Sequence, residues 1–114
     1  MPTRYYISLP DPARARGDDP VLAFRAQGAD GLAAELQEAL RTDSLFQRWR
    51  DGQGEPDEVD PGLGATDAHA TVNGRQDDLH IDLVVTTSLA SSVLRQRLGL
   101  LAGKGWQLRD VTAA

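Results

Sequence analysis

Residues 65–87, ATDAHATVNGRQDDLHIDLVVTT, decide the fold of this chain. Apolar and polar side chains alternate through residues 66–73 and again through 79–86, with turn-forming residues between the two runs. Such alternation is typical of antiparallel strands that bury one face. The segment therefore predicts a β-hairpin. The residues predicted to face the core are Ala68, Ala70, Val72, Leu79, Ile81, Leu83 and Val85.

Two turns are compatible with this hairpin, because inward residues must pair with inward residues. One is a two-residue turn at Asn73-Gly74, and the other is a longer loop centred near residues 75–76. We favour the longer loop, since it lets the long apolar strand pair fully. The first alternative places His80 opposite Asp67 and His69 opposite Asp78, and the second places His69 opposite Asp82 and His80 opposite Thr71.

The remaining elements follow from periodicity, caps and breakers. They are an edge strand at 3–9 that Pro10 and Pro12 end, a second strand at 21–27, helices at 31–41, 45–51 and 89–102, and a final strand at 106–112. Without the first strand the order is β-α-β-β-α-β, which resembles the ferredoxin-like arrangement. We therefore predict an α+β fold, ferredoxin-like with one added strand, whose mainly antiparallel sheet carries two helices on one face.

Length and composition indicate one domain, residues 1–114, in a cytoplasmic protein. Apolar residues make up 40% of the chain, and no run is long enough to span a bilayer. The first residues show no apolar signal region. The absence of cysteine excludes disulfides and thiolate chemistry. Eleven arginines against one lysine suggest a bacterial genome rich in G and C.

Negative charge is concentrated in the middle of the chain. Residues 51–82 carry nine acidic residues against Arg75 alone, a net charge of -8, so general binding to nucleic acid is disfavoured. Within this region, residues 51–64 combine four glycines, two prolines and five acids, which predicts a flexible acidic loop. Either it is a solvated loop that aids solubility, or Asp57, Glu58 and Asp60 contact a basic protein partner.

The outward face of the hairpin holds both histidines. In either register a histidine lies across from a polar or acidic residue, and His69, His80 and Asp82 would form a minimal set of zinc or nickel ligands. The alternative is a solvated sheet face with polar cross-strand pairs, on which the same three residues contact a partner. We predict no other cofactor.

Arg97 lies within the apolar arc of the last predicted helix. A buried, unpaired guanidinium is costly, so Arg97 must extend to solvent, pair with a carboxylate or bind an anion. Glu35 and Glu38 are the carboxylates that side-by-side packing of the two helices would bring near.

Motifs for phosphate loops and nucleophile elbows are missing from the sequence. We therefore predict a non-enzymatic module that acts by protein–protein contact or self-association, through the open sheet face and the acidic loop. One rival is a small metal-dependent or acid–base enzyme centred on His69, His80 and Asp82. Another is a small-molecule or anion sensor built around Arg97.

Overall fold

The sheet and helices are described by a computed structural model that covers residues 2–114, except for the side chain of Pro56. Four strands form one antiparallel sheet, and three α-helices accompany it, so the predicted α+β class is confirmed. The elements are β1 (Thr3–Leu9), α1 (Ala29–Arg41), α2 (Ser44–Asp51), β2 (Thr71–Asp77), β3 (His80–Thr87), α3 (Ser91–Ala102) and β4 (Gln107–Ala113). Short 3-10 turns occupy Pro12–Arg14, Pro56–Glu58 and Pro61–Gly64.

The strand order is β2-β3-β1-β4, and β1 lies in the interior of the sheet between β3 and β4. Its prediction as an edge strand was wrong. Pro10 follows the last residue of β1, so the prolines end the strand without removing a ladder hydrogen bond from within it. The prolines therefore limit the length of β1, but they do not indicate whether β1 lies at the edge or in the interior of the sheet.

The predicted strand at residues 21–27 is not a strand. Its backbone N–H groups bond to helices instead of to a neighbouring strand. The Phe24 N–H donates to the Leu101 carbonyl at 2.9 Å, and the Ala26 N–H donates to the Glu35 carboxylate at 2.9 Å. The alternation that suggested a strand does not match the burial, since the consecutive residues Leu22, Ala23 and Phe24 are all buried. The sheet therefore has four strands, one fewer than predicted.

The hairpin turn lies further along the chain than either prediction placed it. Strands β2 and β3 are joined by Asp78 and Leu79, and Asp77 pairs with His80. Asp78 takes the left-handed conformation, with φ of 56°, which aspartate tolerates better than most residues. Leu79, predicted to face the core, is 82% exposed at the turn.

Gly74 lies inside β2 because α1 crosses close to this strand. A Cβ built on Gly74 would lie 2.3 Å from the carbonyl oxygen of Ala29, at the start of α1. The Asn-Gly pair that signals a turn in the sequence thus marks a point of close packing between helix and strand.

Helices α1 and α3 cover one face of the sheet and enclose the core. In the part of the chain that the structure describes, no helix packs against the other face, and none of the helices is long and apolar enough to cross a membrane. The residues with the least exposure in the core include Ile7, Leu9, Leu32, Leu36, Leu40, Ile81, Leu83, Val85 and Leu98.

Replacing Gly74 with alanine should lower the free energy of unfolding by about 1–3 kcal/mol, because the new methyl group forces α1 away from β2. Urea denaturation measures the change. Gly99→Ala is the matched control, since nothing lies within 4 Å of its added Cβ in the interior of α3. That variant should gain about 0.5–1 kcal/mol. Equal stability of the two variants would contradict the close approach.

Candidate functional site

The face without helices carries a groove of about 560 Å³. Its floor comes from the two inner strands, where Tyr6 on β1 is the direct neighbour of Val84 on β3. The two outer strands each contribute an arginine to the groove. These residues are Arg75 on β2 and Arg109 on β4. An apolar floor is thus flanked by two guanidinium groups.

A β-bulge lies in β4 beside this face. Asp110 lies opposite Tyr6 and Leu108 lies opposite Ile7, so Arg109 is the extra residue of β4. A bulge of this kind breaks strict alternation and re-aims a side chain. Arg109 was absent from the predicted site because the sequence does not show that β4 pairs with β1 beside Tyr6.

At one end of the groove, the His80 imidazole lies between two carboxylates. Its Nε2 atom is 3.4 Å from Oδ2 of Asp82 and 3.9 Å from Oδ2 of Asp77. One ligand atom from each of these three side chains lies within 4.8 Å of the other two. Asp77 completes the group in the place where the sequence predicted His69.

His69 lies outside the hairpin, in the loop before β2, and its side chain is exposed. The predicted pairs of His69 with Asp82 and with Asp78 do not form, since Arg75 lies opposite Asp82. The other predicted pairs fail for the same reason: His80 lies opposite Asp77, and Thr71 lies opposite Thr86. A hairpin turn at Asp78 sets this register.

Asp67, predicted on the outward hairpin face, instead joins its loop to the end of β3. Its carboxylate accepts hydrogen bonds from the Thr87 hydroxyl at 2.8 Å, the Ser88 N–H at 2.9 Å and the His69 N–H at 3.0 Å. The bond from the Ser88 backbone is the main cause that lowers the pKa of Asp67 below its ordinary value of 3.8. This carboxylate has a structural role.

Asp67→Asn should lower the free energy of unfolding at pH 7 by about 1–3 kcal/mol, the range for hydrogen bonds to a charged group. Because the folded-state pKa is lowered, the stabilisation is complete above pH 3.8 and disappears as the pH falls through the folded-state value. Urea denaturation of both proteins across this range measures it. A stability difference that does not shrink in acid would contradict the assignment.

Arg97 is completely buried, and backbone carbonyls surround its guanidinium. Nη1 donates to the Ala39 carbonyl in the last turn of α1, and Nη2 donates to the carbonyls of Leu63 at 2.8 Å and Ala65 at 2.7 Å. Burial lowers the pKa of Arg97, and the negative charge of Asp43 partly opposes that effect. Nε is buried without a hydrogen-bond partner among the described residues.

The predicted pairing of Arg97 with a carboxylate of α1 is therefore wrong. Glu35 accepts hydrogen bonds from the backbone of Arg25 and Ala26, and Glu38 is exposed. Arg97 connects the C-terminal end of α1, where carbonyls lack intrahelical donors, to the end of the acidic loop. This geometry favours a structural role for Arg97 over the predicted anion sensor.

Arg97→Met should lower the free energy of unfolding by about 2–4 kcal/mol. Three carbonyls lose a charged donor, and the removal of a buried charge offsets only part of that loss. Hydrogen exchange of residues 60–66 should also accelerate, because their anchor is lost. Arg95→Met, an exposed position on the same helix, is the control and should change stability by about 0.5 kcal/mol or less. Greater stability of Arg97→Met would contradict the anchor.

The acidic loop lies on the helical side of the molecule, since its turn at Pro61–Gly64 contacts α2 and α3. Two of its predicted contact residues already have intramolecular partners. Oδ1 of Asp57 lies 3.6 Å from Nη2 of Arg50, and the carboxylate of Asp60 accepts a hydrogen bond from the Gly62 N–H at 2.9 Å. Glu58 is exposed. The loop and the groove therefore belong to opposite sides of the molecule.

Comparison with known proteins found no match to a protein-family model, to a curated protein sequence or to a solved structure.

Proposed function

We propose that this chain is a non-enzymatic cytoplasmic module that binds a protein partner through the open face of its sheet. The observation that carries the proposal is the one-sided sheet, whose uncovered face has Tyr6 and Val84 at its centre and arginines around them. An apolar centre with a polar surround is the usual anatomy of a protein interface, and tyrosine and arginine are enriched there.

The chemistry of the face favours an acidic partner surface. Arg4, Arg75 and Arg109 form no salt bridge with any residue that the structure describes. Arg4 lies on the same strand as Tyr6 and two residues away, so it belongs to the same face. Carboxylates of a partner can therefore pair with these guanidinium groups without first breaking a salt bridge, and Arg109 gives up at most its 3.3 Å hydrogen bond to Oε1 of Gln107.

The edges of the sheet are less suited to binding than its face. The start of β2 is covered by α1, where Gln37 accepts a hydrogen bond from the Val72 N–H at 3.0 Å and Arg41 donates to the Ala70 carbonyl at 2.7 Å. The other edge strand, β4, contains the bulge at Arg109, and bulges discourage the addition of a strand. We therefore place the contact on the face.

The acidic loop supplies a second, charge-based contact in this proposal. Asp57, Glu58 and Asp60 are exposed on the side that carries the helices, so a partner on the sheet face does not reach them. They would attract a basic surface, with a strength that falls as salt rises. A second copy of the chain is the alternative occupant of the sheet face.

We also infer that the architecture is ferredoxin-like, with β1 as the first strand of the β-α-β-β-α-β unit. The order of strands and helices, with α2 as an addition after α1, supports this assignment. Because this architecture hosts many unrelated functions, it adds no argument about what the protein binds.

The test is capture of partners from native lysate with five tagged proteins: wild type, Tyr6→Ala, the double variant Arg75→Glu/Arg109→Glu, the double variant Asp57→Lys/Glu58→Lys, and the control Arg95→Glu. We expect a stoichiometric partner that both sheet-face variants lose, because they remove the apolar centre or reverse its charged surround. Arg95→Glu, a single charge reversal at an exposed position of α3, is the control and should retain the partner.

Sedimentation velocity on the purified proteins identifies the occupant. A dimer that the sheet-face variants dissociate would make the partner a second copy of the chain. Retention of every captured protein by both sheet-face variants, together with a monomeric wild type, would refute the proposal.

A further inference from the structure

We propose that Asp77, His80 and Asp82 form a binding site for a divalent transition metal, with zinc as the reference ion. The site lies at the turn end of the β2–β3 hairpin and opens to the groove of the sheet face. The site borders the surface of the proposed protein contact, but its ligand atoms come from this chain alone, so metal binding can be measured without a partner.

The strand register brings the three side chains together. Asp77 and His80 are cross-strand partners beside the turn, and Asp82 follows His80 by two residues on the same strand. Residues two apart on a strand share a face, so all three side chains project from the open face. The two strands are joined by a two-residue turn, which leaves the three residues little freedom to separate.

The distance between His80 and Asp82 fits a tetrahedral ion, and Asp77 lies close enough to complete the set. With metal–ligand bonds of about 2.0–2.1 Å, two ligands of tetrahedral zinc lie about 3.4 Å apart. Oδ2 of Asp82 is 3.4 Å from the His80 imidazole, and Oδ2 of Asp77 is 3.9 Å away and requires only a small side-chain movement. One imidazole nitrogen and two carboxylate oxygens suit zinc, cobalt or nickel, and three protein ligands leave a fourth position open.

The residues around the three ligands indicate what kind of ligand occupies the fourth coordination position of the metal. Arg75 lies directly opposite Asp82, yet the two form no salt bridge within the described residues, and the carboxylate approaches His80 instead. Arg75 and Arg109 both line the groove that His80 and Asp82 border. An anion that completes the metal coordination would also neutralise these guanidinium groups. The expected ligand set is therefore metal plus a small carboxylate or phosphate.

The competing explanation is a simple ion pair in which a protonated His80 lies between two carboxylates. Metal binding requires the neutral imidazole and releases its proton, whereas an ion pair binds no metal. The two explanations predict opposite results when the metal is added near neutral pH.

The experiment is calorimetric titration of the full chain with zinc chloride at pH 7.5, and titration with cobalt(II) followed by visible absorption. We expect one equivalent to bind, and tetrahedral cobalt bands to appear. His80→Ala and Asp77→Asn should each weaken zinc binding at least about tenfold, the effect typical even of groups that only support a ligand. Circular dichroism checks that both variants keep the fold.

His69→Ala is the matched control, because His69 is the other histidine of the chain and is exposed outside the group. It should bind zinc like the wild type. Absence of binding by folded wild type at millimolar zinc, or loss of binding in His69→Ala but not in His80→Ala, would overturn the site. Titration with zinc in the presence of inorganic phosphate tests whether an anion occupies the fourth coordination position. Partner capture repeated with a chelator tests whether the protein contact depends on the metal, and so separates this result from the proposed function.

Discussion

The buried guanidinium of Arg97 is the contact on which the arrangement of the helical side depends. It joins three segments that share no ladder of hydrogen bonds: the end of α1, the acidic loop and α3. A charge with no exposure is tolerable only because carbonyl dipoles surround it, including those at the negative end of a helix. The loop is therefore ordered at Leu63–Ala65 by a group that lies more than 30 residues further along the chain.

A second constraint follows from placing both long helices on one side of a four-stranded sheet. Those helices bury the apolar residues of β1 and β3, and the alternate residues of the same strands remain as an open face. The candidate binding residues of this chain therefore lie on two opposite sides of the molecule. Arginines, Tyr6 and the His80 group share the sheet face, whereas the acidic loop lies with the helices.

Several features of the fold could be predicted from local pattern because their cause is local. The helices near 31–41 and 89–102 and the apolar strand at 79–86 follow from periodicity, and the structure has each within a few residues of its predicted bounds. The strand predicted at 21–27 was wrong because a short apolar segment that packs against helices cannot be distinguished from a strand by periodicity alone. His80 and Asp82 were predicted in one candidate site, but Asp77 required the hairpin register and Arg109 required the strand order.

By itself, the sequence determined the α+β class, the alternation that exposes His80 and Asp82 together, and the concentration of acidic residues in 51–64. The tertiary structure decided the rest. It placed the turn at Asp78-Leu79, beyond both the Asn73-Gly74 turn and the favoured loop near residues 75–76, and it used Gly74 for the close packing of α1 against β2. It also supplied Arg97 with carbonyls instead of a carboxylate, because hydrogen-bond partners of a buried group depend on which segments meet in space.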